Sequence, residues 1–207
     1  MDMMRLISVL QKCDCVFVPN EGTKQSLKAM TRTDNIKVIL PFARLYDTPE
    51  EDILDKGYVA IAARKYTIDS TEKWLPWALS ELNIPHISVQ RPSHAKYLAD
   101  PKNYTDFLNH CSFVVSAKLE ASTGGMSLVE AYNNGKPVLI PNSSLHGGND
   151  IFGDRAYKYD YGSYDSLKSS LQYLWEKRPK QNLKECREFC KNFTVDALSE
   201  RIYEAMK

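Results

Sequence analysis

The chain has 207 residues, of which 43% are hydrophobic and 26% charged, a composition typical of a folded globular protein. The formal net charge of +1 argues against a protein that holds nucleic acid or an anionic membrane by bulk charge. No apolar run approaches the roughly 20 residues of a transmembrane helix, and the first residues make a poor signal peptide. Five cysteines, an odd number, fit a reducing compartment, so we expect a cytoplasmic protein.

Short runs of β-branched and aromatic residues alternate with longer stretches of helical periodicity. The predicted strands lie at 15–18, 36–40, 58–61, 86–89, 112–115 and 137–140. The predicted helices between them lie at 23–31, 71–82, 104–110 and 127–134. Several strands are apolar at every position, as expected for parallel strands covered on both faces. This alternation predicts an α/β fold, a parallel sheet flanked by helices.

The C-terminal third is predicted to be helical, at 163–176, 182–191 and 195–206. Leu167, Leu171 and Leu174 illustrate the spacing of four and three that marks an apolar helix face. The acidic, proline-containing stretch 47–56 lies between two strands and is the best candidate for a linker. We therefore expect a portion at 1–46, a linker at 47–56, a main domain at 57–192 and a final segment at 193–207.

A Gly-rich helix start is the most informative feature of the sequence. Gly124 and Gly125 follow a strand and a polar loop and open the helix at 127–134. A helix N-terminus with accessible N–H groups binds anions, typically phosphate. Glu130, farther along this helix, offers a carboxylate that can accept two hydrogen bonds from a ribose diol. The alternative stays open: such glycines are common in α/β proteins, and a helical Glu is usually a solvated charge.

The segment STGGMSLVEAYNNGKPVLIPN, at 122–142, resembles the nucleotide-sugar-binding motif of retaining GT-B glycosyltransferases of the glycosyltransferase family 4-like kind. That motif has two Glu residues separated by seven others. Glu130 matches the second, whereas Ser122 stands where the first belongs, and Glu120 lies two residues away. The resemblance implies that the main domain is the Rossmann-like donor-binding domain of such an enzyme.

The resemblance covers about residues 13 to 205. Residues 13–27 and 36–42 resemble the last strand, helix and crossover of the family's N-terminal domain, and 193–198 the segment that crosses back to it. Residues 58–64 resemble the first strand of the donor domain and the Gly-Arg that ends it, here Ala63-Arg64.

In the family, this Arg and a following Lys hold the donor diphosphate. The resemblance therefore implies that Arg64 and Lys73 bind the diphosphate, with Lys65 as a competitor for the Lys. It implies further diphosphate contacts at Gly124, Gly125, Met126 and Ser127, and ribose binding by Glu130.

Other candidate ligands are weaker. His146 and Asn149 lie in a polar loop after a strand, where a ligand contact is one interpretation and a loop turn the favoured one. Cys186 and Cys190, four apart on a helix, are interpreted as small core residues and not as metal ligands. The sequence has no Asp-x-Asp motif, so we expect no metal and no cofactor besides the donor substrate.

The portion before the linker is short, because a complete N-terminal domain needs roughly 100 residues or more. A minimal enzyme, half of a two-chain enzyme and a fragment of a longer chain are the three explanations. We expect a metal-independent, retaining transferase that uses a UDP-, GDP- or ADP-sugar and an unidentified acceptor. The alternative is a nucleotide-sugar-binding module whose cleft is completed by a homodimer or a partner chain. A nucleotide-sugar epimerase and an unrelated α/β domain are less favoured.

Overall fold

The computed structural model describes residues 3–40, 43–46, 48–61, 70–88, 101–116, 125–143 and 146–207, with the backbone alone at 3, 6, 70–73 and 101. The strands are β1 (Val16–Val18), β2 (Ile36–Val38), β3 (Val59–Ile61), β4 (His86–Ser88), β5 (Phe113–Val115), β6 (Val138–Asn142) and β7 (Tyr157–Asp160). The helices are α1 (Met3–Leu10), α2 (Glu21–Thr31), α3 (Ser70–Glu81), α4 (Pro101–Asn109), α5 (Met126–Asn133), α6 (Gly147–Phe152), α7 (Tyr164–Lys177), α8 (Leu183–Cys190) and α9 (Val195–Met206).

The larger sheet contains five parallel strands in the order β4-β3-β5-β6-β7. Val59 of β3 pairs with His86 of β4 on one side and with Phe113 of β5 on the other. The chain therefore winds outward from β3 in one direction to β4 and then in the opposite direction from β5 onward. This order is that of a doubly wound α/β sheet, and it confirms the predicted fold class.

Alternate strand residues face two separate layers of helices. Val59 and Ile61 pack with Leu79 of α3 and Leu171 of α7, all of them buried. Ala60, between them on β3, belongs to the core on the opposite face, which is formed with α4, α5 and α8. Because both faces are covered, every residue of β3 and β5 is buried, which explains the unbroken apolar runs in the sequence.

The smaller sheet pairs β1 and β2 in parallel, with Val16 opposite Ile36. Its strands have three residues each, and α2 connects them. The chain returns to this sheet at its end, where the ammonium of Lys37 donates to the carbonyl of Ala205 on α9. The N–H of Ala43 also donates to the carbonyl of Phe193 at 2.8 Å. The helix α9 is thus attached to the small sheet near its end, and Phe193, two residues before its start, is attached to the segment between the two sheets.

Local sequence explains where several helices begin. Ser163, Asn182 and Thr194 each accept a hydrogen bond from a first-turn N–H of the helix that follows. These caps fall close to the predicted boundaries. The sequence did not predict α1, α6 or β7. The helix α6 has only six residues, and β7 is an edge strand with a Tyr-Lys-Tyr-Asp sequence and no apolar run.

Candidate functional site

The carboxyl ends of β3, β5 and β6 meet at one edge of the large sheet. The direction of winding reverses between β3 and β5, which leaves a crevice beside their carboxyl ends. Ligands of open parallel α/β sheets bind in such crevices. Residues 62–69 and 117–124 follow these two strands and lie outside the described part of the chain, so the site is defined below by the elements around them.

The N-terminus of α5 begins at this edge. Gly125 is its buried N-cap residue, with φ −130° and ψ −18°, and no side chain of the described residues caps the helix. The first intrahelical bond runs from the N–H of Val129 to the carbonyl of Gly125, at 2.7 Å. The preceding N–H groups of Met126 and Ser127 have no partner in the helix itself, as in any first helical turn. This helix end therefore has the chemistry of an anion site.

Two side chains of α5 contact neighbouring parts of the molecule. The hydroxyl of Tyr104, on α4, donates to the Oγ of Ser127 at 2.6 Å. One turn later, the half-buried carboxylate of Glu130 accepts the N–H of Arg44 at 3.4 Å between N and Oε1. Glu130 therefore faces the crossover segment, residues 39–58, which joins β2 of the small sheet to β3 of the large one. A charged side chain in this position contacts both regions of the molecule.

A buried hydroxyl–imidazole pair lies at the same edge. The Oγ of Ser116, directly after β5, is 3.1 Å from the Nε2 of His146, and both residues are buried. The Nδ1 of His146 accepts the N–H of Gly148 at 3.1 Å, so the proton of the neutral ring belongs on Nε2, from which it is donated to Ser116. Burial lowers the pKa of His146 from its ordinary value of 6.5 to about 4.

The contact between His146 and Gly148 leaves no space for a side chain at position 148. A Cβ atom there would lie 2.7 Å from the ring carbon Cε1 of His146. The amide side chain of Asn149 donates to the carbonyls of Pro141 and Ser143, at 2.9 and 2.8 Å. His146 and Asn149 therefore stabilise the turn between β6 and α6, the interpretation favoured from the sequence.

The small sheet approaches the site through α2. Asn20, fully buried, caps α2 by accepting the N–H of Thr23 at 2.7 Å. The next residue, Glu21, donates its N–H to the carboxylate of Asp150 on α6 at 2.9 Å. The start of α2 is thus held against the loop that follows β6, on the same side of the molecule as the N-terminus of α5.

The structure places the predicted site residues as follows. The start of α5 contains Gly125, Met126 and Ser127 in succession, and Glu130 lies about one turn farther along the helix. Lys73 lies in the first turn of α3, the helix after β3, where its backbone alone is described. Arg64 and Gly124 lie outside the described residues, as do the competing or alternative positions Lys65, Glu120 and Ser122.

Sequence reasoning missed four residues at this edge: Ser116, Arg44, Tyr104 and Asp150. Ser116 gave a usable signal, because a polar residue directly after an apolar strand marks the carboxyl edge of a parallel sheet. The partners of the other three come from distant parts of the chain, such as Arg44 and Glu130, 86 positions apart. No short sequence pattern predicts contacts between residues so far apart in the chain.

All five cysteines are described and are unpaired. Cys111, Cys186 and Cys190 are buried in the core, and burial raises the pKa of the Cys111 and Cys190 thiols to about 12. Cys13 and Cys15 are half-buried, directly before β1. Among the described residues, no group of three or more His, Cys, Asp or Glu side chains is arranged to hold a metal ion. Nor is any helix in that part of the chain long and apolar enough to cross a membrane.

The sheet order and the helix start at its switch point define a Rossmann-like α/β domain. Comparison with solved structures identifies the fold more narrowly. HepE of Anabaena, in complex with UDP-glucose, superimposes with a TM-score of 0.73 at 14% identity, covering 99% of this chain and 66% of HepE. Sucrose-phosphate synthase from Thermosynechococcus elongatus gives a TM-score of 0.71 at 11% identity, covering 98% of this chain and 60% of the synthase.

A glycosyltransferase from Rickettsia africae gives a TM-score of 0.70 at 16% identity, with 98% of this chain and 65% of that protein covered. The chain therefore has the GT-B glycosyltransferase fold, and it spans about 60–66% of the length of these three proteins. No protein-family model matches the sequence, and no curated protein sequence matches it.

Proposed function

We propose that the chain is the donor-binding part of a glycosyltransferase that moves a sugar from a nucleoside-diphosphate sugar to an acceptor. One observation carries this proposal: the N-terminus of α5, without a side-chain cap, lies at the switch point of the large sheet, with Glu130 one turn farther along. This helix end is suited to a diphosphate and the carboxylate to a ribose diol. The GT-B fold supports the assignment, since the similar solved structures include glycosyltransferases and one of them contains UDP-glucose.

The reaction requires charge stabilisation on the leaving group. As the bond between the sugar's anomeric carbon and the β-phosphate oxygen breaks, its electron pair stays on the diphosphate. The acceptor oxygen forms the new bond to the anomeric carbon, and its proton passes to the departing diphosphate. We assign Arg64, Lys73 and the N–H groups of residues 124–127 to hold that negative charge. Fixed donors and cations in a crevice can do so without a metal ion, and we propose a metal-independent reaction on this basis. We propose retention of the anomeric configuration from the resemblance of residues 122–142 to the motif of retaining enzymes.

Glu130 is assigned to the ribose. Its carboxylate can accept hydrogen bonds from two neighbouring hydroxyls, whereas a phosphate close to it would be repelled. The contact with Arg44 places it beside the crossover segment, at the opening between the two regions. Binding of the ribose at this point would connect the donor to both regions.

The acceptor wall of the cleft is not assigned to residues of this chain. We propose that it is supplied by a further segment, a second copy or a partner chain, since the solved GT-B structures are longer than this chain. The unpaired cysteines fit a cytoplasmic protein. The alternative of a binding module without activity is not favoured, because the similar structures that carry a descriptive name are transferases or synthases.

Calorimetric titration with UDP, GDP and ADP, first without metal and then with Mg²⁺, tests the donor site. We expect one diphosphate to bind, binding to be lost in Arg64→Ala, and binding to be retained in the matched control Arg5→Ala, whose residue is exposed on α1. Absence of binding by all three, or equal loss in both variants, would contradict the assignment. Turnover of the corresponding sugar conjugate then separates a transferase from a binding module.

A further inference from the structure

A second cavity lies at the amino ends of the strands, on the opposite edge of the large sheet from the candidate donor site. Its volume is about 440 Å³, within the range of small-molecule sites. Ser112 precedes β5 and Pro137 precedes β6, and both line the cavity. Parallel α/β sheets do not use this edge for their main ligand, so the cavity is separate from the site described above.

Three segments that are distant in sequence build the walls. The crossover segment contributes Leu54 and Asp55, the turn before β6 contributes Lys136, and the connection from α7 to α8 contributes Arg178 and Lys180. Apolar surface is present as well, from Leu54 and from the prolines and leucine of the neighbouring turns. The cavity therefore combines an apolar surface with a small number of charged groups, the usual composition of a ligand site.

Lys136 is the unusual residue of this cavity. It is 6% exposed, and its ammonium donates to the carbonyl of Leu54 at 3.0 Å. Among the described residues, no carboxylate lies within 4.0 Å of this ammonium, and burial lowers the pKa of Lys136 below its ordinary value. A buried ammonium has three N–H donors and is stabilised by an anion. The carbonyl of Leu54 accepts one of these three N–H groups, and the other two have no acceptor among the described residues.

Asp55 attracts Lys136 from beyond 4.0 Å, but its direct contacts are with other groups. Asp55 accepts from Arg178 at 2.6 Å and from the hydroxyl of Ser112 at 2.7 Å, so its charge is already paired. Apart from the Asp55–Arg178 pair, the charged side chains that line the cavity are two cations, Lys136 and the exposed Lys180, and one carboxylate, that of Glu50. The electrostatic potential of the cavity favours an anion.

The same wall contains an unsatisfied acceptor. The side-chain oxygen of Asn134 is buried and has no hydrogen-bond partner among the described residues, while its NH₂ group donates to Asn109 at 2.6 Å. Buried polar atoms without a partner are uncommon in folded proteins. One residue, Gly135, separates Asn134 from Lys136, so this wall contains both an unsatisfied acceptor and a buried ammonium donor.

We propose that this cavity binds a small hydroxylated organic anion, whose charge is attracted by Lys136 and Lys180 and whose hydroxyl group is matched to Asn134. Such a ligand would contact both the crossover segment and the large sheet, at a site separate from the candidate donor site. The proposal is independent of the proposed transferase activity, because its test measures binding at this cavity alone.

Glycerol 3-phosphate is a suitable probe, with inorganic phosphate and glycerol as its separated halves. Titration into ¹⁵N-labelled protein at constant ionic strength should give saturable amide shifts at Gly135, Lys136 and Gln181 at millimolar concentration. Phosphate should bind more weakly, and glycerol should give no saturable shift. Absence of saturable shifts with glycerol 3-phosphate at these amides would overturn the proposal.

Charge reversal tests the electrostatic argument without disturbing the fold. Lys180→Glu, at an exposed rim position, should weaken binding by roughly tenfold. Lys177→Glu makes the same charge change three residues away, outside the cavity lining, and should bind as the unaltered protein does. Equal weakening in both variants would mean a general surface-charge effect and would overturn the site. The Lys136→Met variant, if it folds, should not bind glycerol 3-phosphate. If this variant does not fold, the comparison of Lys180→Glu with Lys177→Glu still tests the proposed site.

Discussion

The two sheets of this molecule are stabilised in different ways. The large sheet buries both faces between helices, and each of its central strands, β3 and β5, is buried throughout. The small sheet has three-residue strands, and Phe17 on β1 is 39% exposed. An isolated pair of short strands is marginal at best in water. The comparison shows that the small sheet depends on contacts with α6, α9 and the crossover segment, whereas the large one carries its own core.

This difference can be tested by replacing one phenylalanine with alanine in each sheet and comparing the two losses of stability. Phe113→Ala, in β5, should cost about 3–5 kcal/mol of unfolding free energy, because it opens a cavity at a side chain that is 1% exposed. Phe17→Ala, in β1, should cost less than about 1 kcal/mol, because the ring is partly in water already. Denaturant unfolding measures both values. Equal losses would show that the two sheets share one core and would remove the distinction.

Acid should weaken the loop on which the small sheet rests. Because the folded pKa of His146 is about 4, below its ordinary value of 6.5, the unfolded chain binds the proton more readily. Stability from this group is full above pH 6.5 and is lost as the pH falls toward 4, by about 3 kcal/mol in total.

The matched variant for this prediction is His146→Asn, which keeps a capping oxygen for α6 but has no titrating ring. Its unfolding free energy should fall less steeply over the same pH range, although it should be lower at neutral pH because Ser116 loses its partner. Parallel pH curves for the two proteins would show that His146 does not titrate as its burial requires.

Glu130, on α5, contacts the crossover segment at Arg44. Removal of its carboxylate should weaken ligand binding more than it lowers the free energy of unfolding. Glu130→Ala should weaken nucleotide binding by about 1–3 kcal/mol if a charge-assisted hydrogen bond to ribose is lost. The contact with Arg44, at 3.4 Å, is long and should contribute little to stability. Calorimetry and denaturant unfolding on the same variant separate the two effects. An unchanged dissociation constant would exclude Glu130 from the site.

The smallest expected effect concerns the attachment of the small sheet. The guanidinium of Arg201, on α9, donates to the carbonyls of Leu40 and Asn192, at 3.3 and 2.7 Å. Arg201→Ala should therefore cost about 1 kcal/mol, seen as faster hydrogen exchange in β2 but not in β5. Glu200→Ala, at an exposed position on the same helix, is the control. Equally faster exchange in β5 would mean that the two sheets open together.

The sequence predicted the central strands of the large sheet well, because β3 and β5 are apolar at every position, and it predicted the helices around them from their caps and periodicity. It also predicted the helix start at Gly125 and the position of Glu130 on α5, which are local features. It did not predict β7, an edge strand with alternating polar residues, or the short α6. The Ser116–His146 bond and the contact of Glu130 with Arg44 arise when distant segments are packed together, and no local spacing encodes them.

The reactivity of the native cysteines can be used to follow the opening of these two regions separately. Cys13 and Cys15 are partly accessible and lie directly before β1, whereas Cys111, Cys186 and Cys190 are enclosed in the large core. A maleimide added to the native protein should therefore alkylate the first pair quickly, without any engineered residue. Modification of the other three requires the large core to open. The order of alkylation, followed by mass spectrometry, would record which region opens first.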